Sequence, residues 1–157
     1  MDDPEVVKLF MQAYEFLEDC GAIPACGMEA DDLLAIWQTE NPGVIVSVDK
    51  DMLQVKGLHF NIRDWKYQWV TEDEADYLLM KQVLTGDSVD NIKGLAGIGP
   101  VKADACLKDV PYGKRLDAVK KLWKEKYGRG WEANMQLNMD LIYLRRTHTD
   151  TFNIKGM

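Results

Sequence analysis

The sequence predicts an α/β fold, in which a partial parallel sheet with flanking helices is followed by a helical region. Before Thr71, segments with apolar residues at helical spacing alternate with segments rich in β-branched and aromatic residues. After Thr71, helical spacing dominates. The run Val-Ile-Val-Ser-Val at residues 44–48 is typical of a parallel strand that is buried on both faces, because such strands lack polar alternation.

The first helix is predicted to follow Asp2 and Asp3, which can cap it, with Pro4 in its first turn. Gly21 ends this helix. Its apolar face carries five residues at helical spacing: Val7, Phe10, Met11, Tyr14 and Leu17.

Residues 23–25 read as a short strand or connector. A second helix is predicted at residues 28–40, ended by Asn41-Pro42-Gly43, with four side chains facing inward: Leu33, Leu34, Ile36 and Trp37. After the strand at 44–48, a hairpin is predicted from strands at 59–63 and 67–70 around residues 64–66. The remaining predicted helices lie at residues 72–84, 88–92, 101–108, 114–127 and 131–145.

Composition limits the class of protein. A chain of 157 residues, 46% of them hydrophobic, is expected to form one domain over residues 1–157. No apolar run of about eighteen residues exists, so no membrane partner is predicted, and the start of the sequence lacks the pattern of a secretory signal. Cys20, Cys26 and Cys106 follow neither a zinc nor a disulfide spacing, which indicates a reducing cytosol.

The net charge of −7 argues against indiscriminate binding of polyanions. Basic residues nevertheless concentrate in the later part of the chain: Lys114, Arg115, Lys120, Lys121, Lys124, Lys126, Arg129, Arg145 and Arg146. An acidic, cation-filled site beside this basic surface is compatible with a DNA ligand. The alternative is that residues 120–126 form only the solvated face of a helix.

Seven acidic residues form three clusters at the ends of different predicted elements: Glu29, Asp31 and Asp32; Asp49 and Asp51; Asp87 and Asp90. Each cluster alone has an ordinary explanation, because acids favour helix starts and turns. If the clusters converge, however, the carboxylates repel unless cations neutralise them. Oxygen ligands without His or Cys suit Mg²⁺ or Mn²⁺, and two such ions can hydrolyse a phosphodiester.

A glycine-rich segment follows the last acidic cluster. Gly94, Gly97 and Gly99 allow close approach of a phosphate, and Pro100 suits the first position of a helix whose free amides would face an anion. Lys102 lies one turn into that helix, where it can neutralise the phosphate. The alternative is an ordinary tight helix–helix turn. If the segment does grip DNA, binding should be independent of sequence.

Four motifs occur in a fixed order: EADD at residues 29–32, SVDKDMLQ at 47–54, TGDSVDNI at 85–92 and GIGP at 97–100. In type, order and spacing they resemble the 5′-nuclease superfamily, which includes flap endonucleases and the 5′→3′ exonuclease domains of bacterial polymerases and phages. The resemblance covers at least residues 28–107. It divides the chain into an α/β metal-site portion, residues 1–84, and a helical DNA-binding portion, residues 85–157.

The resemblance implies roles for the matching residues. Glu29 and Asp31, with Asp32 close by, would bind a first Mg²⁺ or Mn²⁺, and Asp49, Asp51 and Asp87 a second, supported by Asp90. Of these, the catalytic set would be Asp31, Asp49, Asp51 and Asp87. The segment 94–102 resembles the family's helix-three-turn-helix, in which turn carbonyls commonly hold K⁺. Its DNA-binding residues would be Gly94, Gly97, Ile98, Gly99 and Lys102.

The implied activity is metal-dependent cleavage of branched, nicked or free-ended DNA from its 5′ end, with RNA as a further candidate substrate. The implied location is the cytoplasm of a bacterium or a phage-infected cell. Family members carry a first strand, two acids and a basic arch before the first acidic motif, and residues 1–28 do not match these. A shortened piece, a split gene completed by a separate N-terminal chain, and a degenerate paralogue all fit this departure.

Three functions therefore remain open from the sequence. The first is a 5′-nuclease that is completed by another segment. The second is a non-catalytic DNA-binding module derived from one. The third is a structural protein whose acids only keep it in solution.

Overall fold

The computed structural model describes residues 3–155, which form six α-helices and five strands. The helices are α1 Pro4–Asp19, α2 Ala30–Glu40, α3 Glu72–Thr85, α4 Pro100–Leu107, α5 Arg115–Tyr127 and α6 Trp131–Ile142. The strands are β1 Val44–Val46, β2 Gly57–Asn61, β3 Lys66–Val70, β4 Gly86–Asp87 and β5 Ile92–Lys93. A short 3₁₀ turn, Asp51–Gln54, follows β1. Within the described residues, no helix has the length and apolar character needed to cross a membrane.

Helix α1 forms as predicted, and its apolar face is exposed. The Asp3 side chain caps the helix by accepting a hydrogen bond from the Glu5 amide at 2.9 Å, whereas the predicted second cap, Asp2, lies outside the described residues. No residue of α1 is buried. Phe10 is 63% exposed and Leu17 54% exposed, so this face contributes little to the core described here.

The main sheet has three strands in the order β1-β2-β3. Strands β1 and β2 are parallel, and the predicted hairpin is confirmed as the antiparallel pair β2–β3. The sheet is therefore mixed and only partly parallel. No strand forms at residues 23–25, so of the two readings of that segment the connector is right.

The prediction that residues 44–48 are buried on both faces is wrong. Strand β1 spans only Val44–Val46, and only its central residue, Ile45, is buried. Ile45 lies on the sheet face that packs on the smaller core, which comprises Ala35, Ile45, Met52, Val55 and Leu144. The opposite face has no covering layer among residues 3–155, which leaves its β-branched side chains exposed.

That opposite face is apolar across all three strands. The pairing register places Val44, Leu58 and Trp69 in one row and Val46, Phe60 and Tyr67 in the next. We call these six residues the outer sheet face. Val46 is 57% exposed and Trp69 61% exposed. A continuous apolar surface of this kind is unusual on a free-standing domain and marks an interaction surface.

Helix α2 begins at Ala30, two residues later than predicted, with Glu29 as its N-cap. Of the four side chains predicted to face inward, Ile36 is buried and Leu33 half-buried. Leu34 and Trp37 are exposed, and that part of the prediction is wrong. The apolar residues of α2 cover a wider part of the helix surface than the part that is buried. Only the side of α2 that faces the sheet is covered by other residues of the described chain.

The larger core lies among the four later helices. Its fully buried residues include Val83, Leu84, Leu107, Val119, Met135 and Met139. Helix α5 is tied to α3 by Arg115, which pairs with Asp73 at 2.6 Å and with Asp76 at 2.9 Å. The predicted helices at 72–84, 101–108 and 114–127 are confirmed to within one residue at each end.

Two predictions in this half are wrong. Residues 88–92 form no helix and instead turn between β4 and β5, which pair antiparallel. This pairing is close because Gly86 and Gly94 have no side chains: a Cβ on Gly94 would lie 2.3 Å from the Gly86 nitrogen. Helix α6 ends at Ile142 rather than at residue 145, and the following residues extend toward α2.

Candidate functional site

Six of the seven acids predicted from the sequence line one cleft of about 280 Å³. They come from the start of α2, the 3₁₀ turn after β1, and the β4–β5 turn. A seventh acid in the cleft, from α6, was not predicted. The acidic lining comprises Glu29, Asp31, Asp32, Asp51, Asp87, Asp90 and Asp140. These residues lie up to 111 positions apart in sequence, and the fold brings them to one cleft. Acids that serve only to solvate a surface would not need to converge in this way.

Three of these acids form a compact group. Asp51, Asp87 and Asp90 each place one carboxylate oxygen within 4.8 Å of the others. Asp87 is buried, Asp51 is half-buried and Asp90 is exposed. The spacing and the all-oxygen donor set fit a hard divalent cation such as Mg²⁺ or Mn²⁺.

Asp87 is held as a carboxylate although it is buried. Its Oδ1 accepts a hydrogen bond from the Val89 amide at 2.7 Å, and its Oδ2 lies 3.2 Å from Lys50 Nζ. The Val89 hydrogen bond, and then Lys50, hold the pKa of Asp87 below its usual range despite burial. The carboxylate is thus ionised and able to bind a cation at neutral pH.

Asp51 is shifted in the opposite direction. Burial raises the pKa of Asp51, and the nearby Asp49 carboxylate raises it further. Gln82, on α3, donates a hydrogen bond to Asp51 Oδ1 at 2.6 Å. Gln82 in turn accepts a hydrogen bond from Gln54 at 2.7 Å, so buried amides fix the orientation of Asp51. Gln82 is not predicted from the sequence, because no motif around it marks it as a site residue. Its role follows only from the contact between α3 and the 3₁₀ turn that carries Asp51.

The acids of α2 lie on the other wall of the cleft. Asp31 Oδ1 accepts a hydrogen bond from the Asp32 amide at 2.8 Å. Asp32 is engaged by Arg145, whose backbone amide is 2.8 Å from Oδ1 and whose Nε is 3.5 Å from Oδ2. Asp32 therefore anchors the segment after α6, while Glu29 and Asp31 remain for a ligand in the cleft.

Asp49 is the one predicted site acid that does not line the cleft. Its Oδ1 accepts a hydrogen bond from the Asp51 amide at 2.9 Å, and its own amide donates to Ser47 Oγ at 2.9 Å. These are turn contacts, which correspond to the ordinary explanation for Asp in this position. The carboxylate still acts on Asp51 through its charge.

The glycine-rich segment leads into α4 as predicted, with Gly99 as N-cap and Pro100 in the first turn. Of its three glycines, Gly97 has a positive φ of 91°. Gly94 is required by its close approach to Gly86, and Gly99 lies in open space. Ile98 is half-buried against the larger core. Lys102 is exposed, and its Nζ donates to the Gly97 carbonyl at 3.0 Å.

No family model matches the sequence. Individual proteins do match. The chain is 33% identical over 141 residues to DNA polymerase I of Rhizobium leguminosarum, covering 76% of this chain and 14% of that protein. It is 33% identical over 118 residues to flap endonuclease Xni of Pectobacterium atrosepticum, covering 64% of this chain and 45% of the relative. The chain thus spans less than half the length of these relatives.

Solved structures of bacteriophage T5 proteins have a similar fold. A bacteriophage T5 protein crystallised with metal ions superposes with a TM-score of 0.65 at 17% identity, over 92% of this chain and 63% of that one. The bacteriophage T5 flap endonuclease in a pseudo-enzyme–product complex with DNA and metal ions gives a TM-score of 0.57 at 17% identity, with the same coverage. Sequence relatives and fold together place the chain in the 5′-nuclease superfamily.

Proposed function

We propose that this chain carries the carboxylate half of a divalent-metal-dependent 5′-nuclease, a 5′→3′ exonuclease or flap endonuclease acting on branched or free-ended DNA. One observation carries the proposal. Acids from three separate sequence motifs line a single cleft, and three of them are close enough to share a cation. The relative named flap endonuclease and the DNA-bound fold neighbour support the same reaction class. Such a protein would work in the cytoplasm of a bacterium or a phage-infected cell.

We assign two cation positions to the cleft. Asp51, Asp87 and Asp90 would hold one Mg²⁺ or Mn²⁺, and Glu29 and Asp31 would contribute to a second. Bound ions would supply Lewis-acid polarisation of the phosphate and would neutralise charge on the leaving oxygen. The protein's own residues keep Asp87 ionised, orient Asp51 through Gln82, and close the end of the cleft with the segment after α6.

DNA would be held beside this cleft by the turn before α4. The first amides of α4 have no partners within the helix and suit a phosphate, and Lys102 is exposed near them. We include Gly97, Ile98 and Gly99 in this interface, with K⁺ as a candidate ligand of the turn carbonyls. Gly94 would act indirectly, by setting the close β4–β5 pairing from which the turn departs.

The nuclease would be completed by a further polypeptide segment, either in a longer form of this chain or in a separate N-terminal nuclease chain. The outer sheet face and the apolar face of α1 are both exposed and both suit burial against such a segment. In the chain alone, Trp69→Thr should change stability by less than about 0.5 kcal/mol, because this side chain is 61% exposed. A larger loss would mean that the outer sheet face is already covered.

The test is cleavage of a 5′-labelled flap substrate in Mg²⁺ or Mn²⁺, with an RNA flap of the same sequence in parallel. The wild type is compared with Asp87→Asn and with Asp64→Asn, which removes the same charge from the exposed β2–β3 turn. Cleavage that is lost only in Asp87→Asn supports the proposal. Cleavage retained by Asp87→Asn contradicts the site. Salt-sensitive duplex binding without cleavage, also after addition of a completing segment, would favour the non-catalytic DNA-binding module.

A further inference from the structure

A cation from the protein itself already lies at the carboxylate group. Lys50 Nζ is 3.2 Å from Asp87 Oδ2, the oxygen that the Val89 amide leaves free. The Lys50 side chain is 67% exposed, whereas that of Asp87 is 5% exposed, so the ammonium reaches into the site from solvent. Asp51 and Asp49 also attract it. Lys50 thus pairs with a carboxylate that a divalent ion bound by Asp51, Asp87 and Asp90 would also need.

We propose that Lys50 is a displaceable cation: it neutralises Asp87 in the metal-free site, and a divalent ion expels it so that its ammonium can bind a substrate phosphate. This inference rests on the proposed nuclease function. A divalent ion and an ammonium repel one another, and both are attracted to the Asp87 carboxylate. The expelled side chain is long, flexible and mostly exposed, so its release to the edge of the cleft costs little. Lys50 would therefore act as a positioning residue that couples metal binding to phosphate binding.

The first test is calorimetric titration of the chain with Mn²⁺ alone. Lys50→Gln should bind Mn²⁺ at least about fivefold more tightly than the wild type, because fully exposed ion pairs are worth up to about a fivefold factor and Asp87 in this pair is buried. Lys50→Arg keeps the charge and should bind as the wild type does. Lys56→Gln is the matched control, because Lys56 is similarly exposed at 56% and pairs at 3.5 Å with Glu72, outside the cleft.

Equal Mn²⁺ affinities for Lys50→Gln, Lys56→Gln and the wild type would overturn the displacement proposal while leaving the metal site intact. A different result would show that the proposed nuclease function itself is wrong. In that case Asp87→Asn would bind Mn²⁺ as well as the wild type, or the wild type would show no saturable binding.

The second test measures duplex DNA binding by fluorescence anisotropy as a function of salt, in Ca²⁺ and in EDTA. In Ca²⁺ the freed ammonium should add one phosphate contact, so Lys50→Gln should reduce the slope of log affinity against log salt by about 0.9. In EDTA, where Lys50 stays on Asp87, the two slopes should agree. Equal slopes in Ca²⁺ would overturn the phosphate role.

Discussion

Replacing Gly94 by alanine should destabilise the protein strongly, whereas the same replacement at Gly99 should not. A Cβ on Gly94 would lie 2.3 Å from the Gly86 nitrogen and 2.5 Å from the Leu84 carbonyl oxygen. Both are backbone atoms, so relief requires separation of β4 from β5. A Cβ on Gly99 would have no atom within 4 Å, and the φ of −99° there suits any residue. The two glycines belong to one turn but meet opposite surroundings.

The magnitudes follow from these surroundings. Overpacking against side chains costs about 1–3 kcal/mol of stability. The neighbours of Gly94 are backbone atoms that cannot easily move, so Gly94→Ala should lower the free energy of unfolding by about 3 kcal/mol. At Gly99, alanine lowers the entropy of the unfolded chain by up to about 1 kcal/mol but is a poorer N-cap by a similar amount. The net change for Gly99→Ala should therefore stay within about 0.5 kcal/mol.

The assay is urea unfolding followed by far-UV circular dichroism, together with duplex DNA binding by anisotropy. Because β4 carries Asp87, Gly94→Ala should also weaken Mn²⁺ binding. Gly99→Ala should bind DNA more weakly at unchanged stability if a phosphate approaches the backbone there. Wild-type stability in Gly94→Ala would refute the close-packing explanation. A loss above about 1 kcal/mol in Gly99→Ala would refute its placement in open space.

Three further predictions concern charge. Asp87→Asn should weaken Mn²⁺ binding at least about 30-fold, because a divalent ion and a carboxylate about 4 Å apart interact by about 2 kcal/mol even at the dielectric constant of water. Calorimetric titration would measure this loss. An unchanged affinity would mean that Asp87 does not bind the ion. Lys102→Ala should flatten the salt dependence of duplex binding by about 0.9 for every sequence tested, and an unchanged slope would make segment 94–102 an ordinary turn. Hydrogen bonds from Lys81 and then Tyr77 lower the pKa of Asp104, so its stabilising effect is full above the ordinary Asp pKa and is lost as pH falls through the folded-state value. Urea unfolding should accordingly show a difference between the wild type and Asp104→Asn at pH 7 that shrinks below about pH 4, and a difference independent of pH would contradict the sign.

The chain's local patterns predicted much of the helical half. Helices α3, α4 and α5 follow from helical spacing and, for α4, from Pro100, because these signals act within one or two turns. The three acidic motifs can also be recognised from the sequence, because each lies at the end of a predicted element. Local signals of this kind do not depend on the rest of the fold.

The errors share one cause. Residues 44–48 were expected to be buried on both faces, but β-branched composition does not reveal whether a second layer covers the sheet. Residues 88–92 were expected to be helical, but the backbone contact between Gly86 and Gly94 imposes a turn. In both cases the deciding neighbour lies outside the window in which a pattern can be read.

The sequence by itself therefore determined which residues could bind cations, and the tertiary structure decided which of them meet. Asp51, Asp87 and Asp90 converge because the turn after β1 and strand β4 both pack on α3. Asp140 and Gln82 join the cleft only through helix packing, while Asp49 does not line it and accepts a hydrogen bond from the Asp51 amide instead. The sequence shows the chemical type of each side chain. The distance between two carboxylates is set by the packing of the elements that carry them.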